Sequence, residues 1–566
     1  MEESSYFLEE NNNSHRYLYQ IDLKKDETDI NQIIKEVEDH IFNTEDSIFN
    51  NEKFDQSILE KKNFIITPNS IKRIKKIAYY ISRGIPVLLE GPSGTSKTFS
   101  TEFACLLAQT KNPLKRFNIS SDTVPADLLG KIVGDKNSLA GISSKEGLFL
   151  ESFTKGYPLL LDGINLASPG VLQCIEEALD SGIISVEIPG FPLKKYKRNS
   201  NFSLIATQNP NKGLFENKRQ NLGKKFMSKF QVITFPEFSE EELTKIAIGL
   251  GKNFGFLKDS IIKDLVKFHK KWSSSKEIED DVQCFTIREI SACIKAFSEK
   301  KNIFDTIMTI YGARYKKKLR EKLTNLLKTY KSFKDIEPDK LSIPDGFPKC
   351  FENNSLLEAI KSIKFSIDNN RSVIISGDEG CGKTQLALWF AEWYIKQKNL
   401  EKSNIFYCLC TEELKCQDLI GKQIPTNCSD TGEELISWKN GFLLNAIEFG
   451  GIVILDALDQ ASSTVSERIN GLLDKKYDNT KDKFDIPENP QKSSIDIHQN
   501  FRLICTTEIN RINKMSPAFL NRFDVIVLED QLKSLNKEQK KNLIKFLLIN
   551  SYKEKIFKEI TKEKID

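Results

Sequence analysis

Residues 87–98 read VLLEGPSGTSKT, three apolar residues and an acid running into a glycine-rich loop that closes on Lys97 and Thr98. That order predicts a short buried strand, a tight turn and the opening of a helix, the arrangement written GxxxxGK[ST]. The chemistry follows from the backbone. Successive N–H groups face an anion, the lysine reaches terminal phosphates, and the last hydroxyl is offered to Mg2+. The same order returns at 373–384 as VIISGDEGCGKT. Candidate phosphate contacts are therefore Gly91, Ser93, Gly94, Thr95, Ser96, Lys97 and Thr98 in the first loop. In the second loop they are Gly377, Gly380, Cys381, Gly382, Lys383 and Thr384.

The spacing between Lys97 and Lys383 carries other landmarks onto one another. Upstream, Ile71, Ile74, Ile77 and Ile81 fall on Leu357, Ile360, Ile363 and Ile367, an apolar stripe at helical spacing in both copies. Downstream the register drifts by a few residues, as loop insertions would cause, but the order persists. DLLGK at 127–131 returns as DLIGK at 418–422, and the apolar run ending in Asp162 returns as the run ending in Asp456. NFSLIATQ at 201–208 returns as NFRLICTT at 500–507, and Phe226 with Phe230 as Phe519 with Phe523. One α/β module is thus used twice, each a P-loop core with a parallel sheet between helical layers.

Core module 1 is assigned to 62–238 and core module 2 to 341–530. Between them, 239–340 reads as helical through EEELTKIAIGL, FTIREISACIKAF and KKKLREKLTNLLKTYKSF, and is assigned as a helical lid with a linker. Residues 1–61 lack strand signals, carry an Asn run and are expected to be a partly disordered extension. Residues 531–566 are a partial C-terminal lid, too short to match the first, as expected of a section of a longer array.

The 566 residues are 39% hydrophobic and 29% charged, an ordinary globular composition long enough for two or more cores. With 83 basic and 79 acidic residues the net charge is +4, so no global field draws the chain onto nucleic acid or an anionic membrane. The start, MEESSYFLEENNN, is acidic and polar. No apolar run approaches the ~20 residues of a membrane span. A soluble intracellular protein is expected, with nucleus and cytoplasm equally compatible.

Eleven cysteines form no CxxC pair, which fits free thiols in a reducing compartment. His15, His40, His269 and His498 are far apart and form no HExxH, so zinc hydrolysis is not supported. The basic run KKYKRN at 194–199 reads first as a solvated loop and second as a contact for an acidic partner.

Each apolar strand ends in a carboxylate placed to hold a Mg2+ shell, so Asp162 and Asp456, with Thr98 and Thr384, are the candidate metal ligands. The first copy's LLLDGINLASPGVLQCIEEALDSG, followed by IATQNP, resembles the AAA+ modules of the midasin and dynein-related, MoxR-like group. The resemblance covers most of residues 62–530 and is denser in the first copy. It implies ATP and Mg2+ as cofactors, and a ring in which a finger of one module completes its neighbour's site. By the same resemblance Asn209 falls at sensor 1, Arg288 in FTIREI at sensor 2, and Arg522 in SPAFLNRF at the arginine finger. The implied site of module 1 combines Lys97, Thr98, Asp162, Asn209 and Arg288 with Arg522 from module 2.

The departures from the family pattern matter equally. Gly163 and Ala457 stand where the family has the glutamate that polarises water, and neither can accept a proton. Glu508 replaces the sensor-1 asparagine in the second copy, and Lys229 holds the finger position in the first. Two readings follow. In one, ATP binding and slow hydrolysis between modules remodel a protein or ribonucleoprotein assembly, pre-ribosomal by resemblance. In the other, the chain is a nucleotide-dependent scaffold that binds ATP without significant hydrolysis. Further AAA+ modules or self-association would complete the ring in both, and neither involves a membrane.

Overall fold

The structure, a computed structural model, describes residues 67–529 with Ile65, Lys537, Lys540 and Lys541. Within that span it leaves out 135–141, 187–192, 210–221, 276–284, 348–353, 428–433 and 474–482, with several stretches of one to three residues. The expected extension over 1–61, and nearly all of 531–566, lie outside the described residues.

In module 1, β1 (Val87–Glu90), β2 (Lys115–Asn118), β3 (Leu159–Asp162), β4 (Leu204–Gln208) and β5 (Gln231–Thr234) form a parallel sheet in the order β2-β3-β4-β1-β5. In module 2, β6 (Val373–Gly377), β7 (Ile405–Leu409), β8 (Ile452–Asp456), β9 (Arg502–Glu508) and β10 (Asp524–Leu528) repeat that order as β7-β8-β9-β6-β10. The α/β class and the duplication read from the sequence are both present.

Because helices cover both faces, the central strands run through consecutive apolar residues instead of alternating, and turn polar at their C-terminal ends. Val87 and Leu89 pack with Ile74, Ile77 and Phe103 on one side, while Leu88 packs with Phe149 and Phe153 on the other. The stripe read as Ile71 to Ile81 is the helix Pro68–Ser82, opened by a Thr67 cap. The order of the strands brings the C-terminal ends of β1, β3 and β4 to one edge, the place where a parallel sheet of this kind offers a crevice.

The stretch between the cores holds helices Glu240–Phe254, Asp259–Ser273, Ile287–Ser298, Ile303–Ile307 and Lys317–Leu327, with an apolar core of its own around Leu243, Leu265, Ile290, Tyr311 and Leu323. The three stretches read as helical are so. The helix Asp259–Ser273 was not singled out in the sequence, although Ile262, Leu265, Val266, His269 and Trp272 line its buried face at helical spacing.

This helical unit is tied to both cores. Toward module 1, Thr67 donates from its hydroxyl to Glu242 at 2.7 Å. Toward module 2, Lys361 pairs with Asp305 at 2.7 Å, Arg320 with Glu529 at 3.0 Å, and the Val527 amide donates to the Ala313 carbonyl at 2.7 Å. The cores themselves meet at the end of β2, where a Cβ on Gly471 would lie 3.4 Å from Asn118 Nδ2. No helix among the described residues is long and apolar enough to cross a membrane.

Candidate functional site

Each glycine-rich loop is held where only small residues fit. A Cβ on Gly91 would meet the Phe235 carbonyl oxygen at 2.2 Å, and one on Gly377 would meet that of Leu528 at 2.6 Å. Helices Lys97–Leu107 and Lys383–Gln397 start immediately after the loops, each with its N-terminus at the strand ends of its own sheet. The residue before each helix is left-handed, Gly382 at φ 94° and Ser96 at φ 65°. The first loop therefore departs from the GxxxxGK[ST] pattern. Ser96 occupies the place of the second glycine and adopts its conformation, at a cost on the order of 1 kcal/mol.

Lys97 is buried, and its ammonium donates to the Gly91 and Pro92 carbonyls at 2.6 and 2.8 Å and to Asn209 Oδ1 at 3.0 Å. The loop lysine and the expected sensor residue are thus brought together, and Asn165 Nδ2 fixes the strand end by donating to the Asn209 carbonyl at 3.0 Å. The helix Ile287–Ser298 begins against the same loop, since a Cβ on Gly94 would lie 2.7 Å from the Thr286 Cβ. Arg288 stands in the first turn of that helix, and its amide donates to Thr286 Oγ1 at 3.2 Å. In module 2, Lys383 likewise donates to the Gly377 and Asp378 carbonyls, at 3.0 and 2.8 Å.

The carboxylates that end β3 and β8 share one threonine device. Thr207 donates from its hydroxyl to Asp162 and accepts the Gly163 amide at 3.1 Å, and Thr506 does the same for Asp456 and the Ala457 amide at 2.9 Å. These threonines were missed in the sequence, where their signal was only the shared T in IAT and ICT. In module 2, Thr384 Oγ1 donates to Asp456 at 2.9 and 3.1 Å, an oxygen donor set that suits a hard divalent cation.

A just over half-length portion of the chain matches the sequence model described as AAA domain (dynein-related subfamily), over residues 86–230 and 372–523. The chain belongs to this family. Each matched region covers its module's glycine-rich loop and first four strands and ends just before the last strand, β5 or β10. Midasin from Dictyostelium discoideum is 31% identical over 185 residues, 32% of this chain and 3% of that protein. Midasin from Giardia intestinalis is 20% identical over 522 residues, 80% of this chain and 10% of that protein. The chain thus spans a tenth or less of the length of these two relatives. Among solved structures, NtrX from Brucella abortus in complex with ADP is 12% identical with a TM-score of 0.31, covering 43% of this chain and 52% of that one.

Against this AAA framework the departures have definite surroundings. The residue after each strand carboxylate is left-handed, Gly163 at φ 80° and Ala457 at φ 55°, and neither offers a polar side chain. Glu176 and Glu177, the nearest carboxylates along the next helix, are engaged elsewhere. Glu176 pairs with Lys225 at 2.6 Å, and Glu177 accepts from Gln173 at 2.8 Å. Lys229, at the finger position of the first AAA region, is paired with Asp180 of its own module. For Arg522 the structure describes a backbone bond to the Phe519 carbonyl, and its assignment as a finger rests on the resemblance. Glu508, in the sensor place of the second region, pairs with Arg511 Nε at 3.1 Å, and Arg511 also reaches the buried Asp459.

Proposed function

We propose that this chain is a nucleotide-responsive part of an AAA assembly, which binds ATP with Mg2+ at module 1, turns it over slowly, and passes the bound state to a protein or ribonucleoprotein client. The observation that carries the reading is the pairing of two lysine-bearing phosphate cradles with Gly163 and Ala457 in the place where a base should orient water. Lys97 would neutralise the β and γ phosphates, Asn209 would bond the terminal phosphate, and Arg288 would close on it from the helical lid. Arg522 would complete the site from module 2, whose Gly471 already lies against Asn118 beside Asp162. Mg2+ would be held by Thr384 with Asp456 in module 2 and, more weakly, by Thr98 with Asp162 in module 1, where Asp162 is already paired with Arg116, and when bound it supplies charge neutralisation of the phosphates.

Binding should therefore survive where turnover does not, because removing a base leaves the electrostatic contacts in place. The resemblance to midasin supports a ring with a macromolecular client, and ordered lid contacts to both cores support transmission between modules. Steady-state phosphate release by the full chain and by Lys97→Ala tests the reading. The expected result is Lys97-dependent ATP binding with release well below about 1 per second, the low end of ordinary enzyme rates. Lys97-dependent release at that rate or faster would show that another group does the work of the missing glutamate.

A further inference from the structure

The two strand carboxylates differ in what reaches them from the edge strand. The register pairs Asn118 with Asp162 and Leu409 with Asp456, so Arg116 and Tyr407, each two residues earlier, hold equivalent places. Both point at the carboxylate. Arg116 donates to Asp162 Oδ2 at 2.6 Å as an ion pair, and Tyr407 donates from its phenol to Asp456 Oδ2 at 2.7 Å. The first interaction brings a full positive charge to the site and the second brings none.

The surroundings amplify that difference. Near the first cradle stand Lys97, Arg116 and Arg288, with Asp162, Glu90 at the end of β1 and Glu289 beneath Thr286 as the acids. Near the second stand Lys383 and Arg511 with Asp378 and Glu379 in the loop, and with Asp456, Asp459 and Glu508 at the strand ends. A triphosphate stripped of metal therefore meets less repulsion at the first site than at the second.

We propose that Arg116 is a built-in counter-cation of the first site, so that module 1 takes ATP with little dependence on Mg2+, while module 2, with neutral Tyr407 in the same place, takes it only with a divalent cation. The proposal rests on the nucleotide-binding reading above. Arg116 is a positioning and specificity residue here: its guanidinium engages Asp162, the carboxylate that would otherwise turn to the metal's hydration shell, and adds charge beside the phosphates.

The test is titration of the full chain with a fluorescent ATP analogue, in EDTA and in excess Mg2+, with module 2 silenced by Lys383→Ala. Mn2+ uptake at the site is followed in parallel by electron paramagnetic resonance. With Arg116 present the affinity should differ by less than about threefold between the two conditions, and Arg116→Tyr should open that difference to about tenfold or more. Arg116→Lys should keep the small difference, and Arg116→Tyr should strengthen Mn2+ uptake. The reciprocal Tyr407→Arg in a Lys97→Ala chain reads the same effect on module 2 and covers the case in which Arg116→Tyr fails to fold. Equal Mg2+ dependence with and without Arg116, in a folded chain, would overturn the proposal and leave the nucleotide reading standing. No ATP binding at module 1 in either condition would overturn both.

Discussion

Modules 1 and 2 place the same five strands in the same order, yet the ends of those strands carry opposite chemistry. In module 1 the loop lysine is drawn to Asn209 and the strand carboxylate to Arg116. In module 2 the strand carboxylate is met by two neutral hydroxyls and a phenol, and the sensor place is taken by Glu508. The Tyr407 phenol pKa is pushed up to about 12, by burial first and then by its bond to Asp456, so it remains a donor at neutral pH. The fold is thus indifferent to changes that decide the charge of its own crevice, because the apolar layers that specify it lie behind the strands and not at their ends.

The largest test of this asymmetry is to remove each loop lysine. Lys97→Ala should weaken ATP binding by the whole chain about a hundredfold or more, and Lys383→Ala by only a few fold, as read by titration with a fluorescent analogue. Equal losses would erase the comparison.

A second test acts on what the modules share. Thr207→Val and Thr506→Val each free a strand carboxylate and the following amide from one hydroxyl, at a cost of about 1–3 kcal/mol each. Thermal melting should show similar losses from both. In nucleotide binding only Thr207→Val should weaken the tighter site.

The helical unit between the modules responds to pH. His269 is buried against the Tyr311 hydroxyl at 2.8 Å, and burial, then Lys270, lowers its pKa from the ordinary 6.5 to about 3. The unfolded chain binds the extra proton first as pH falls, so the stability from neutral His269 is complete above pH 6.5 and is lost between 6.5 and about 3. Melting curves from pH 7 to pH 4 should show this loss, and His269→Phe should flatten it. A slope unchanged by that substitution would place the acid sensitivity elsewhere.

The smallest expected effect is at the sensor position of module 2. Glu508→Asn should improve ATP binding there by about three- to tenfold at low salt, and less at high salt, because an exposed charge is screened. An improvement independent of salt would point to a lost contact in place of a lost charge.

How much was legible depended on whether a residue acts through its neighbours in sequence or across the sheet. The loops, the apolar strands and the duplicated order could be read directly, because strand, turn and helix propensities are set within a few residues. Lys97, Asp162 and the loop glycines were singled out for the same reason, whereas Asn209 was singled out by the family resemblance. The αL strain at Ser96 was hidden by a pattern match that treated serine as glycine, and only the backbone angle exposed it.

By itself, then, the sequence determined that two α/β P-loop modules stand in tandem, that each offers a lysine, a hydroxyl and a carboxylate, and that the usual glutamate is absent from both. Only the tertiary structure decided which groups those carboxylates meet. Arg116 and Tyr407 reach Asp162 and Asp456 through parallel strand pairing across long stretches of chain, and Thr207 and Thr506 through the next strand over. Such partners are set by register, which emerges from the packing of the whole sheet and leaves no local pattern in the chain.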